Sequence, residues 1–410
     1  MEPFMFLLFL IICWIFLIFL GNSKYLQLKN PEIGLGYAMY RTERFNKIID
    51  RIANISKRFW SYFFDVGLLV GIGIVAAALL MFTINIFNFL QIMAIDQGII
   101  STSRSDVGDP IELVPAIPGI SISFSTLPYF FIAILIAAAL HELCHGVAAR
   151  AVGVKLKSTG LIFFFVFFGA FVEPDEKSLK SVSARKQMQI FAAGAWINLI
   201  LVILLIPLLT PIGFQGMLSA TGYESSSSGA LVVSAIEGFP AKDAGIKSGW
   251  VITDAIYGNG TPYLITNQVE FSAFAQSLAI NESIQLRFRN KPSINFTTVK
   301  HPDLENSTRG FMGLQTHDYY HPKVSFMDPM IPYHMFLSIF YTLNLSLVLA
   351  LINLLPFPPL DGDKIMGAFI KDKFSKEKGD KVFKYLRLTT FLIFIINMIL
   401  TLIVSGINPM

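Results

Sequence analysis

The chain of 410 residues is 54% hydrophobic and only 15% charged, with six histidines, two cysteines and a formal net charge of +4; its mean hydropathy is +0.59. Several uncharged stretches exceed the ~20 residues that cross a bilayer as a helix, which excludes an ordinary soluble fold and points to a polytopic membrane protein. The positive balance sits in clustered loop lysines and arginines, which argues for a lipid bilayer and against a nucleic-acid partner. Cys13 and Cys144 both lie in apolar runs and make no disulfide framework.

Residues 3–20 (PFMFLLFLIICWIFLIFL) lack the basic flank and small-residue cleavage site of a secretory signal, and read as an uncleaved first helix. Further spans are predicted near 66–90, 128–150, 187–212, 332–356 and 388–406, about six in all. Loop charge sets their direction. Residues 21–63 carry eight Lys/Arg, 151–186 six and 371–387 seven, whereas 91–127 carry only Arg104. The basic loops are expected in the cytoplasm, and both termini and residues 222–322 outside it.

Two segments interrupt this helical pattern. GLIFFFVFFGAFVEP (160–174) is too short to span as a helix, is aromatic and β-branched, and is punctuated by Gly160, Gly169 and Pro174. It is predicted to form a short membrane-associated β hairpin on the cytoplasmic side, lining the site, because extended backbone at that depth must be buried in protein or face a wet cavity. Residues 222–322 are polar, with short alternating runs such as ALVVSAI and SIQLRFRN broken by Gly, Pro and Asn. They read as a β-rich domain inserted between the fourth and fifth spans. The organisation expected is therefore 1–127, 128–221, 222–322 and 323–410.

The third span contains HELCH (141–145). Ionisable groups at membrane depth cost at least a few kcal/mol each, so they mark function. Residues four apart share a helix face, so His141 and His145 can bring two neutral imidazoles to one Zn²⁺, with Glu142 as the base that activates water. Catalytic zinc takes a third protein ligand. His301, His317 and His321 fall in the inserted domain, and His334 lies near the outer end of the fifth span, far from HELCH along the membrane normal. NLLPFPPLDGD (353–363) brings Asp361 to the inner end of that span, where the prolines break the helix and Gly362 permits a turn. Asp361 is the candidate ligand, with Asp363 the alternative. Zn²⁺ with ionised Asp361 and Glu142 makes a neutral set, which suits a low-dielectric setting. Cys144 lies off the ligand face and reads as a small buried hydrophobe.

HELCH, AAGAWIN (192–198) and NLLPFPPLDG (353–362) together resemble the site-2 protease family of intramembrane zinc metalloproteases. The resemblance implies one zinc on His141, His145 and Asp361, Glu142 as base, and Asn198 and Asn353 as polar neighbours of substrate or transition state. GALVVSAIEGFPAKDAGIKSGWVITDAI (229–256) resembles the PDZ domains such proteases carry, with Trp250 where Asp is usual. It implies an extracytoplasmic PDZ-like domain that binds a peptide segment or gates access. The expected function is cleavage of transmembrane protein substrates to release a cytosolic fragment. A metal transporter would call for an internal duplication, which the sequence lacks, and a scaffold would have no use for Glu142.

Overall fold

A computed structural model describes residues 11, 12, 14, 15, 32–34, 37–43, 45–102, 106–164, 167–257, 260–301 and 308–404. The chain divides into two compact units, Met1–Leu204 with Tyr341–Met410, and Leu205–Phe340. Among the described residues, five helices are long and apolar enough to cross a membrane. They account for the five later predicted spans and make this a multi-pass membrane protein; the first expected span, 3–20, lies outside the described residues apart from four positions.

The first unit begins with strands β1 (Glu32–Gly34) and β2 (Tyr37–Thr42), then helices α1 (Asn46–Ile55), α2 (Lys57–Asp96) and α3 (Leu127–Ala151). Helix α2 starts earlier than the apolar run alone predicts, because the Ser56 hydroxyl accepts the Phe59 N–H and caps it. Strands β3 (Leu156–Phe164) and β4 (Phe167–Pro174) form the expected antiparallel hairpin, with Gly160 opposite Phe171 and Ile162 opposite Gly169. It is half of a four-stranded sheet of order β1-β2-β3-β4. The short helix α4 (Glu176–Ser181) leads to α5 (Ala184–Leu209).

The second unit contains α6 (Pro211–Ala220) and the inserted strands β5 (Tyr223–Ala235), β6 (Val251–Tyr257), β7 (Pro262–Leu264), β8 (Ser283–Phe288), β9 (Lys291–Thr297), β10 (Val299–Lys300), β11 (Gly310–Phe311) and β12 (Leu314–Pro322). Between these strands lie helices α7 (Pro240–Asp243) and α8 (Gln268–Ser277). The main sheet runs β12-β5-β6-β8-β9, with β7 added on β6, and its core includes Val232, Ile252, Phe271 and Leu286. A β-rich insertion is thus present where the alternating runs and turn residues predicted it.

Helix α9 (Ile331–Asn353) ends before the prolines, and Asp361 opens α10 (Asp361–Lys373). Helix α11 (Lys376–Val404) starts well before the predicted span, because its Lys-rich first turns are good helix formers and carry the i,i+4 pair Glu377–Lys381. Within the first unit two buried clusters fix the site. One joins Ile49 of α1, Cys144 and Val147 of α3, and Ile190 and Ala193 of α5. The other joins Leu68 and Val75 of α2, Ala192 and Ala195 of α5, Ala350 and Leu354, and Ile365 of α10.

Candidate metal centre

His141 and His145, one turn apart on α3, turn their Nε2 atoms to within 3.0 Å of each other. Asp361 Oδ2, from the first turn of α10, lies 3.1 Å from His141 Nε2 and 2.9 Å from His145 Nε2. The three residues are 5%, 8% and 7% exposed. Among the described residues they form one group of three side chains able to hold a metal ion.

The ring tautomers are set from behind. His145 Nδ1–H donates to the Ile190 carbonyl at 2.7 Å, which leaves its Nε2 as a lone pair facing the triangle. His141 Nδ1 lies 3.3 Å from the Asn198 amide nitrogen, while Asn198 Oδ1 is buried with no partner. The opposite amide orientation gives that oxygen the His141 Nδ1–H and leaves this Nε2 a lone pair as well. Two such lone pairs and a carboxylate oxygen at mutual distances near 3 Å suit a cation. Ligand atoms of a tetrahedral zinc with bonds of about 2.0–2.1 Å stand about 3.3 Å apart, so the triangle approximates one face of that tetrahedron.

The AAGAWIN run explains how α5 can lie so close. A Cβ at Gly194 would stand 2.5 Å from Nε2 of both histidines, so only glycine leaves the rings their place. Asn198 is one turn further along the same face. At the other wall, a Cβ at Gly362 would collide with the Leu354 carbonyl oxygen, so glycine lets the proline-rich turn fold back against the start of α10. A carboxylate at a helix N-terminus is also favoured by the backbone dipoles there.

Glu142 points to a different side of α3, where its Oε2 accepts the Val172 N–H of β4 at 3.0 Å. Strand β4 is itself braced through Glu173, which accepts from Lys157 Nζ at 2.6 Å and Ser158 Oγ at 2.7 Å. These two donors hold the Glu173 carboxyl below its usual range. The second oxygen of Asp361 accepts Lys364 Nζ at 2.9 Å. Asp363 makes a two-armed contact with Arg387 of α11, whose guanidinium also lies 3.9 Å from the centre of the Phe383 ring.

The structure therefore brings His141, His145 and Asp361 together with Glu142 adjacent, and ties Asp363 to α11 instead. Asn353 Nδ2 lies 3.4 Å from His141 Nε2, beside the triangle, whereas Asn198 meets the rear of the ring. His301, His317, His321 and His334 belong to the other unit. There His317 packs against Tyr333 and Phe336 with ring centres 5.4 and 5.2 Å away, and burial lowers its pKa. Gly194, Val172 and Lys364 were not anticipated. The glycine had a signal in its four-residue spacing from Asn198, and the lysine in its three-residue spacing from Asp361; a backbone N–H has none.

The family model of peptidase family M50 matches residues 129–397, about two thirds of the chain. An uncharacterized protein of Methanocaldococcus jannaschii is 28% identical over 261 residues, which cover 63% of this chain and 58% of that protein. A protein of Arabidopsis thaliana described as a membrane-bound transcription factor site-2 protease homolog is 28% identical over 81 residues, 20% of this chain and 16% of its own length. The matched stretches thus span less than two thirds of either relative. The family match extends from the helix that carries HELCH past the turn that carries Asp361, and the chain belongs to peptidase family M50, the site-2 protease family.

Proposed function

We propose that the protein is a zinc-dependent intramembrane endopeptidase that cleaves transmembrane segments of membrane-anchored proteins and releases a cytosolic fragment. The observation that carries this reading is the convergence of His141 Nε2, His145 Nε2 and Asp361 Oδ2 next to Glu142 on an apolar helix. These three residues would hold one Zn²⁺, which when bound supplies a Lewis acid and lowers the pKa of water. Glu142 takes a proton from the attacking water and delivers it to the leaving amide nitrogen. Asn353 stands where it can donate to an oxygen of substrate or transition state, and Asn198 keeps the His141 ring oriented.

A transmembrane helix hides its carbonyls in hydrogen bonds, so the substrate has to unwind before it is cut. Among the described residues strand β4 pairs with β3 on one side only, and its other edge offers backbone partners for an extended segment beside Glu142. The lysine and arginine bias of residues 21–63, 151–186 and 371–387 supports a cytoplasmic face for this end of α3. On the same reading both termini and residues 222–322 are extracytoplasmic, and the insertion is a PDZ-like domain that selects substrates or gates access. The functional organisation is then 1–127, a core of 128–221 and 323–410, and the inserted 222–322.

Glu142→Gln tests the assignment. It binds no metal in this scheme, so zinc content measured on the purified protein should stay near one per chain. Cleavage of a single-span substrate should fall by about 10²–10⁴-fold. Wild-type cleavage by this variant, or loss of its zinc, would remove Glu142 from the role of base.

A further inference from the structure

The face of α3 that bears Glu142 borders a cavity of about 300 Å³. Its walls come from four elements of the same unit: Ile48 and Ile49 of α1, Ala139 and Leu143 of α3, Leu161 of β3, and Ala170 and Val172 of β4. Apart from the Glu142 carboxylate, these walls are almost wholly apolar. The cavity is about twice the ~150 Å³ that accommodates benzene in an apolar protein interior, so a whole large side chain fits. Small residues keep it open. Ala139 and Ala170 contribute single methyl groups, and Gly160 of β3 contributes no side chain at all.

Three facts identify the occupant. The cavity shares Glu142 with the proposed chemistry, so whatever sits in it lies beside the bond being cut. The edge of β4 that faces α3 is the one whose Val172 N–H meets Glu142, so a peptide extended along that edge passes the cavity mouth. Side chains of an extended strand alternate, so one residue at that point is directed inward while its neighbours are not.

We infer that this cavity is the specificity pocket for one of the two residues flanking the scissile peptide, and that it takes a large apolar side chain such as Leu, Met or Phe. The inference rests on the endopeptidase reading and adds to it the class of sequence that is cut. Amphipathic α1, with Ile48 half exposed at the mouth and Ile49 buried against α3, forms the outer wall.

The test uses the full-length protein with its zinc and a single-span substrate whose two flanking positions are each set to Gly, Ala, Leu and Phe. On one side of the cut, Leu and Phe should raise kcat/KM over Gly by roughly tenfold or more, the range a hydrophobic pocket supplies. Ala139→Phe, which fills the cavity from the α3 wall, should invert that order in favour of Gly and Ala. Ile48→Ala, which widens the mouth, should extend it to Trp. As a readout independent of turnover, a benzophenone-bearing phenylalanine at the preferred position should cross-link to α1 or β4 in the Glu142→Gln protein. Cleavage with no preference at either position, or an equal slowing of all substrates by Ala139→Phe, overturns the pocket and leaves the endopeptidase standing. A flat preference with a photoreactive acyl chain cross-linked at Ile48 would make the cavity a lipid site and likewise overturn it. No cleavage of any substrate by zinc-loaded wild type overturns the endopeptidase reading and the pocket with it.

Discussion

The face of α3 that carries His141 and His145 is closed, whereas the face that carries Ala139, Glu142 and Leu143 opens on a cavity of about 300 Å³. On the closed face both Nδ1 atoms are held from behind, and the neighbouring helix has no room for a single methyl group at Gly194. On the open face there is one polar group, Glu142, fixed by one backbone N–H. A metal's ligands tolerate displacements of a few tenths of an ångström, so their surroundings have to be rigid and full. A substrate that changes from one target to the next needs a vacancy. The two requirements are met on the same turn of helix because a step of one residue, from 141 to 142, rotates the side chain by about 100°.

The largest effect should come from filling the closed face. Gly194→Ala places a methyl carbon within 2.5 Å of both Nε2 atoms, so the rings have to turn away from Asp361. Metal affinity should fall by at least the ~10–100-fold typical of disturbed outer-shell contacts, and cleavage with it. The matching addition on the open face, Ala139→Val, should leave metal content near that of the wild type, as read by metal analysis of the purified proteins. Full metal in Gly194→Ala would mean that α5 yields, and that the closed face is not rigid.

Next come the two carboxylates at the start of α10. Asp361→Asn weakens an oxygen in contact with both histidines and should release metal. Asp363→Asn should keep it, because that side chain is tied to Arg387 on α11. Its cost should appear in thermal stability instead, about 1–3 kcal/mol for a hydrogen-bonded charge weakened at a partly exposed guanidinium. Metal loss from Asp363→Asn with retention in Asp361→Asn would reverse the assignment.

Much of the closed face was legible in the sequence and little of the open one, for a physical reason. His141, His145 and Asp361 are ionisable groups in apolar surroundings, and the free energy of putting them there makes them conspicuous in a one-dimensional reading. The spacing of 141 and 145 specifies a shared helix face, and the prolines before Asp361 specify a helix end. The β3–β4 hairpin was visible for similar reasons, through a run too short to span and bracketed by glycine and proline. Strands β1 and β2 were not, since EIG and YAMYRT are short and become strands only by pairing, β1 with β2 and β2 with β3. Helix α1 was hidden inside a basic loop read for its charge alone. The cavity depends on α1, α3, β3 and β4 meeting, and on residues as plain as Ala139 and Ala170. No single position announces that.

The smallest predicted effect probes the one bond that anchors the open face. Val172 donates to Glu142 through its backbone N–H, so only proline at this position removes the donor. Among the described residues strand β4 is the outer strand of its sheet, and an outward N–H at a sheet edge is where proline is tolerated. Val172→Pro should therefore fold and keep its metal, since nothing on the closed face contacts this bond. The Glu142 carboxylate would then lose a charge-assisted hydrogen bond and turn more freely. A bond of this kind contributes about 1.5–3 kcal/mol, and part of it is replaced by water, so kcat should fall by roughly tenfold. KM should stay where it is, because Glu142 acts on the proton rather than on substrate affinity. A rise in KM at constant kcat would show instead that the Val172 N–H itself bonds the substrate strand paired on this edge, and that Glu142 does not depend on it for its place.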